Sequence, residues 1–556
     1  MVVSELWNLL QPIEKTTTLQ RLAVNDGFIA NIGDVRALQV GINASAWIYR
    51  VCSQPGGTRS GYLLNLFAHL HRLLVLPILP LFVFDGPGRP RVKWGKKFDE
   101  KDHELVPDAK TLFDNFAFPW MIAPGEADAE LAWMSRAAII DIVLSEDSNT
   151  IVFGAKAVLR VMTGPDGQET MKMYESADMA TNLDLKLELC DLVLIAILGG
   201  GDYDPGLDGC DASTAFALAH AGLGKSLIHG IQNTPDTELH RFLGQWRAQL
   251  VAELTFNSSG FLSQKQPTVA ASVPANFPDI NIIHLYTHPL TSEDAGPSHH
   301  PSLVTTQSLD LPCLVKFAED HFTCTDHEGI YRIFASFIFP GLAVRQLMSI
   351  ALSTDLGLPQ QSFTMLNEVI AIRCESESSG AFVPEARVRL LIDDQILRII
   401  SDGRCAGKPI AQDQVPESRV WLPVSMIQHV QPGLLAEFAH RQQQNAATYT
   451  SSPRQSPSIH STPAPVHTPS REVPHEVIDL TRASESPPPG STDMPYPTLC
   501  NVIDLTVLPE VALPSHNQYR VVISVSEESG NEILEFITDS EGDDEEVIEL
   551  EDNSVE

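Results

Sequence analysis

The chain has 556 residues, 43% of them hydrophobic, and a formal net charge of −34. One hydrophobic core does not serve that length, so two or three domains with linkers are expected. The acidity argues against a wide non-specific DNA-binding face, which needs clustered Lys and Arg, but leaves room for a local basic groove.

The eight cysteines include no Cys-x-x-Cys pair and read as ordinary reduced thiols. Glu5 and Trp7 interrupt any apolar core at the N-terminus, so no signal peptide is expected there. Up to about residue 232, short apolar runs at 38–42, 79–84, 119–122, 140–144 and 150–153 alternate with amphipathic stretches such as 125–138. That alternation predicts a mostly parallel sheet with helices on both faces. The apolar segment 63–84 carries His69, His71, Arg72 and two prolines. It reads as a helix, a turn at Pro77 and Pro80, then a buried strand, rather than a membrane span.

Residues 233 to about 300 read as a helix and a polar loop. Further on, LPCLVKFAEDHFTC and EGIYRIFASFIFPGL have helical period, EARVRLLIDDQILRII suggests short strands, and SRVWLPVSMIQHVQPGLLAEFAHR a strand running into a helix. Residues 441–556 hold 21 acids against five arginines and no lysine, with five Ser-Pro or Thr-Pro pairs. Such a segment cannot bury enough apolar surface to fold and is expected to be disordered.

Acids stand just past several strand ends: Asp85 in LFVFDGPGRP, Glu126, Asp128 and Glu130 in MIAPGEADAE, Glu146 and Asp147 in DIVLSEDSNT, and Asp202 in LGGGDYDPGLDG. Four such groups in order suggest carboxylates converging on one rim, which is how proteins hold hard divalent cations. The competing reading is a set of helix caps and turn acids. After the first run, 38–42, the corresponding residue is the neutral Asn43.

RPRVKWGKK places Arg89, Arg91, Lys93, Lys96 and Lys97 around Trp94, a candidate for phosphate contacts and a stacked base, or else a solvated basic turn. AHAGLGKSL lacks the first glycine of a nucleotide P-loop, and DYDPGLDGCD lacks the closing Glu of a calcium loop. In the tail, Val-Ile-Asp-Leu-Thr occurs twice, through Val477, Ile478 and Leu480 and through Val502, Ile503 and Leu505. A β-branched run beside acids can add a strand to another domain's sheet edge, and this one matches the SUMO-interacting motif. The tail has no lysine, so it would read SUMO rather than carry it. Replacing Ile478 and Ile503 by Ala is expected to abolish that binding.

MVVSELWNLLQPIEKTTTLQRLAV, FVFDGPGRPRVKWGKK, APGEADAELAWM, LSEDSNTIVFGA and LGGGDYDPGLDGCDASTAFAL resemble, in order and spacing, the XPG/flap-endonuclease family. The likeness is greatest to its Holliday-junction-resolvase branch and fungal relatives. It covers about residues 1–232, with weaker likeness beyond. The resemblance implies an α/β, PIN-like nuclease core with a central parallel sheet (regions 1–98 and 115–200) and a helix-two-turn-helix element (201–260). A small helical/β, chromodomain-like module (301–440) and the acidic tail (441–556) would follow. It implies a nuclear protein whose carboxylates bind two Mg²⁺ ions that hydrolyse a phosphodiester near a DNA branch point. Carried over by position, Asp85, Glu126, Asp128, Asp147 and Asp202 match the catalytic, metal-binding acids.

The sequence departs from that pattern at Asn43 and Asn149, both on family Asp positions. It departs again at Val2, and at Asp211 in place of a glycine in a turn facing DNA phosphate. An amide cannot offset the charge of two dications. The expectation is a binder of branched DNA, and of SUMO-modified partners, with impaired catalysis. The alternatives are an active Mg²⁺ endonuclease in which Glu130, Glu146 or Asp204 covers the loss, and a protein scaffold without DNA contact. Only 41 positions lie from Asp85 to Glu126, short for a threading arch, which favours duplex junctions over threaded flaps.

Overall fold

The computed structural model describes residues 5–32, 35–52, 58–90, 103–163, 169–295, 308–322, 327–359, 365–373, 383–402 and 417–451. Short stretches at 92–93, 96–97, 303, 520–525, 532–537 and 547–550 are also described. Seven strands form the main sheet: β1 (Lys15–Thr17), β2 (Leu38–Asn43), β3 (Ile78–Phe84), β4 (Trp120–Ile122), β5 (Ile142–Leu144), β6 (Ala157–Thr163) and β7 (Glu169–Glu175). Their spatial order is β1-β7-β6-β5-β2-β3-β4. Strands β2 to β6 pair in parallel, while β7 runs antiparallel to both β6 and β1.

The chain first winds outward from β2 through β3 to β4, then returns to lay β5 on the other side of β2. The direction of winding therefore reverses between β2 and β5. Parallel strands covered on both faces are apolar almost throughout, and all seven residues of β3 are buried. Pro80 lies inside β3 rather than in the expected turn. Pairing of β3 with β4 begins only at Phe82, so that side of the strand is open beside Pro80 and no ladder bond is lost.

Helices α1 (Ala44–Cys52), α2 (Arg59–Leu74) and α3 (Val106–Asn115) cover one region of the sheet. Trp47, Phe82 and Phe113 join them there, the two phenylalanine rings stacked at 4.0 Å. Helix α4 (Ala127–Arg136) carries the acids after β4, and the apolar α5 (Leu189–Gly199) is buried along nearly its whole length. Helices α6 (Ala212–His220), α7 (Leu223–Asn233), α8 (Asp236–Phe256) and α9 (Ile280–Thr287) follow, with a short helix Pro267–Ser272 between the last two. Residues 233–295 are thus more helical than the single helix and loop expected.

The expected strand at 150–153 is instead the short helix Asn149–Val152. The Asp147 carboxylate accepts the Asn149 N–H at 2.9 Å, a local turn that bends the chain as soon as β5 ends.

The later region starts with α10 (Leu311–His321) and a continuous helical segment, 327–355. That segment is long and apolar enough to cross a membrane by composition, yet most of it is buried within the protein. Three antiparallel strands follow, β8 (Leu366–Arg373), β9 (Glu385–Leu390) and β10 (Arg419–Pro423). Residues 394–401, expected as strand, form a helix because Asp393 caps the Gln395 N–H and buries Leu397 and Ile400 at helical spacing. The described residues up to Leu434 belong to one compact unit, and the described residues 435–451 to a separate one.

The described part of the tail is not uniformly irregular. A helix extends to Ser451, and strands Arg520–Val525, Glu532–Ile537 and Val547–Leu550 pair antiparallel, where Val and Ile recur at strand spacing. Both Val-Ile-Asp-Leu-Thr copies, and Val2, lie outside the described residues.

Candidate active-site rim

The carboxyl ends of β2, β3, β4 and β5 bring most of the expected residues to one rim. Asn43 ends β2, and its Oδ1 accepts the Ala46 N–H at 3.0 Å, capping α1 and turning strand into helix. Its Nδ2 donates to Asp128 Oδ2 at 3.0 Å. The other Asp128 oxygen lies 3.2 Å from the Thr150 hydroxyl, which is also 3.2 Å from Ser145 Oγ.

Asp85 follows β3 in a loop laced to the one after β4. Gly86 N–H donates to Gly125 O at 2.7 Å, and Gly88 N–H to Pro124 O at 3.0 Å. A Cβ at Gly86 would stand 1.6 Å from the Ala123 carbonyl oxygen, so only glycine permits this approach. Asp85 Oδ1 accepts the Ala127 N–H at 2.9 Å, and Arg89 reaches Oδ2 at 3.3 Å. Glu126, buried at the start of α4, accepts the Tyr203 hydroxyl. Asp202 is also buried. Burial, and then the negative charge of Asp202, push the Asp147 carboxyl above its ordinary range.

The family's chemistry needs a centre of two closely spaced dications. Such a centre needs several carboxylates with oxygens turned to a common point. Among the described residues, no group of three or more His, Cys, Asp or Glu side chains could hold a metal ion. Asn43 bonds directly to Asp128, Arg89 leans on Asp85, and Tyr203 bonds Glu126. These side chains do not fit a two-metal centre as arranged.

The three acids expected to compensate are engaged in other bonds. Glu130 is fully buried and accepts the Ser292 N–H at 2.8 Å; Glu146 pairs with Arg50; Asp204 accepts the Gly206 N–H at 2.8 Å. Tyr203 and Thr150 were not singled out from sequence, although Tyr203 directly follows Asp202.

On the basic segment, Arg89 faces Asp85, so one of its cations is drawn back to the rim. Val92–Lys93 and Lys96–Lys97 pair as two short antiparallel strands. Arg91 lies outside the described residues. Asp211 caps α6, accepting the Thr214 N–H at 2.8 Å and lying 3.0 Å from Ser213 Oγ. These bonds, Thr214 foremost, hold its carboxyl below the ordinary range. The carboxylate thereby occupies backbone donors that could otherwise meet a phosphate.

Residues 117–202 match the XPG I-region family model, which spans β4, α4, β5 and α5 and their acids. The structure superposes with a TM-score of 0.60 on the Holliday junction-resolving enzyme GEN1 in complex with product DNA and Mg²⁺. Identity is 26%, covering 77% of this chain and 97% of that one. The chain is similar to the XPG/flap-endonuclease family in its I-region and in its fold. The human flap endonuclease GEN homolog 1 is 24% identical over 260 residues, 43% of this chain. Flap endonuclease 1 of Methanocaldococcus jannaschii is 30% identical over 138 residues, 24% of this chain. The matches span 27% and 41% of those two relatives' own lengths.

Proposed function

We propose that this protein binds branched DNA through its XPG-like nuclease fold, with phosphodiester hydrolysis silenced at Asn43 and Asn149. The solved relative holds product DNA and Mg²⁺, which supports junction DNA as the ligand class and Mg²⁺ as the ancestral cofactor. The observation that carries the silencing is the direct Asn43–Asp128 hydrogen bond. Two carboxylates there would repel unless a cation lay between them, whereas amide and carboxylate satisfy each other without one. Asp211 on the α6 donors and Arg89 on Asp85 act in the same direction, weakening contacts to phosphate.

The test is cleavage of four-way-junction and flap DNA with Mg²⁺ or Mn²⁺, comparing wild type, Asn43→Asp/Asn149→Asp and Asp85→Ala. The wild type should bind the junction without cutting it. Changes behind a metal ligand typically alter activity ~10–100-fold, and restoring two ligands should raise cleavage by more than that. Wild-type cutting that vanishes in Asp85→Ala would overturn the silencing and make the protein an active endonuclease.

A further inference from the structure

Helix α9 has two faces of different chemistry. Ile283 and Tyr286 are buried, and the Tyr286 ring lies 4.8 Å from that of Tyr203, whose hydroxyl reaches Glu126 on the rim. His284, and His288 at the cap that ends the helix, are exposed. Residues four apart on a helix are neighbours on one face, and the His288 N–H still donates to the His284 carbonyl oxygen at 2.8 Å. Their ring centres are 5.5 Å apart.

Two imidazoles on one tetrahedral ion, each with its nitrogen at about 2.0 Å, have ring centres about 5 Å apart. The rings of α9 are therefore already spaced for a shared ion. A ring contact alone tolerates the same distance, so the nitrogens decide. The Thr287 hydroxyl has one proton, which it donates to the Ile283 carbonyl oxygen at 3.0 Å. Its 2.8 Å contact with His288 Nδ1 therefore makes the ring the donor, with the proton on Nδ1 and the lone pair on Nε2. Metal-binding histidines are oriented in this way, one nitrogen donating to a neighbouring oxygen and the other left to the ion. Imidazole suits zinc, copper and nickel, whereas Mg²⁺ takes oxygen ligands. Histidines at this spacing on a helix also supply two ligands of catalytic zinc centres.

We infer that His284 and His288 form a two-histidine site for a zinc-class divalent cation at the end of α9. Two protein ligands fall short of the four that close a structural zinc site, so water takes the other positions and the ion exchanges. A bound ion ties His288, beyond the last turn, to His284 within it. It thereby pins the turn that carries Tyr286 beside Tyr203. The site uses none of the rim carboxylates and does not depend on the branched-DNA reading.

The full-length protein is titrated with Zn²⁺ by calorimetry near neutral pH, with Mg²⁺ as a competing hard cation. His284→Gln, His288→Gln and Thr287→Val are titrated beside it, and His299→Gln/His300→Gln serves as a control for the nearby histidine pair. Circular dichroism melting verifies that each variant folds. Zinc held by the rim or by thiols is common to all of them and cancels in the comparison. The wild type should take up one equivalent of Zn²⁺ that both His284→Gln and His288→Gln lose and that Mg²⁺ does not displace. That ion should also raise the melting temperature of the wild type but not of either histidine variant. Thr287→Val keeps both ligands and removes the oxygen that orients one of them, so it should weaken the same equivalent about 10–100-fold. Equal uptake by the wild type and the two histidine variants overturns the site, as does an equivalent lost in His299→Gln/His300→Gln instead. Displacement by Mg²⁺ overturns the ligand class, and an affinity that Thr287→Val leaves unchanged overturns the ring orientation on which the site rests.

Discussion

Asn43 does two jobs with one amide: its oxygen caps α1 and its nitrogen holds Asp128. Asn43→Asp keeps the cap but sets a carboxylate beside Asp128 in place of a donor. In the absence of divalent cations the variant should lose about 1–3 kcal/mol, the cost of a broken buried bond and its unpaired partner. Thermal melting with and without Mn²⁺ checks this. Recovery of the loss on adding Mn²⁺ means that the rim can still gather a cation, and a loss that Mn²⁺ leaves untouched means that the other acids no longer converge. The neutral residue was legible in the sequence because it interrupts a series of acids at strand ends. The partners of those acids were not. Tyr203 and Thr150 approach Glu126 and Asp128 only through tertiary contacts, whereas Arg89 folds back on Asp85 four residues away.

Elements were legible where periodicity was long and hidden where a local bond decided. The apolar run 150–153 reads as a strand until the Asp147 side chain is seen to turn the backbone, and 394–401 until Asp393 is seen to cap it. Helix α2 carries a consequence of its burial. His71 is buried and His69 half-buried, and desolvation foremost pushes each down to about 4 from an ordinary 6.5. The Phe337 carbonyl oxygen, 2.7 Å from His71 Nδ1, fixes the ring and partly opposes that shift. A group whose folded pKa is depressed favours the folded state above its unfolded pKa, and that advantage is lost as pH falls toward the folded one. Between pH 6.5 and 4 the unfolded chain therefore binds more protons, and stability falls on acidification. At pH 5 each histidine should cost about 2 kcal/mol relative to pH 7. Urea denaturation at the two pH values measures this, and His71→Gln should flatten the dependence by roughly half. An unchanged profile in that variant would mean that His71 does not titrate with unfolding.

At the scale of the molecule, the described residues up to Leu434 form one compact unit. The reason is visible at Arg36. It is 2% exposed, donates to Asp355 Oδ1 at 2.7 Å and to the Phe28 carbonyl oxygen at 2.8 Å, and lies 5.6 Å from the Phe28 ring centre. Asp355 ends the long helical segment of the later region, 319 positions away in sequence. A second tie joins Gln20 to Glu385 of β9 at 2.6 Å. No periodicity or motif announces such pairs, because each partner is an ordinary charged or polar residue in its own segment. Asp355→Ala leaves the Arg36 guanidinium buried without its counter-ion, a loss of about 3–5 kcal/mol. Replacing both partners, as Arg36→Met/Asp355→Leu, removes the stranded charge and should recover most of that loss. Calorimetry of residues 1–434 should then show one transition that moves down in Asp355→Ala and returns in the double variant. Two transitions, with only the later region shifting, would mean that core and module fold independently. The rim would then be held by the nuclease sheet alone.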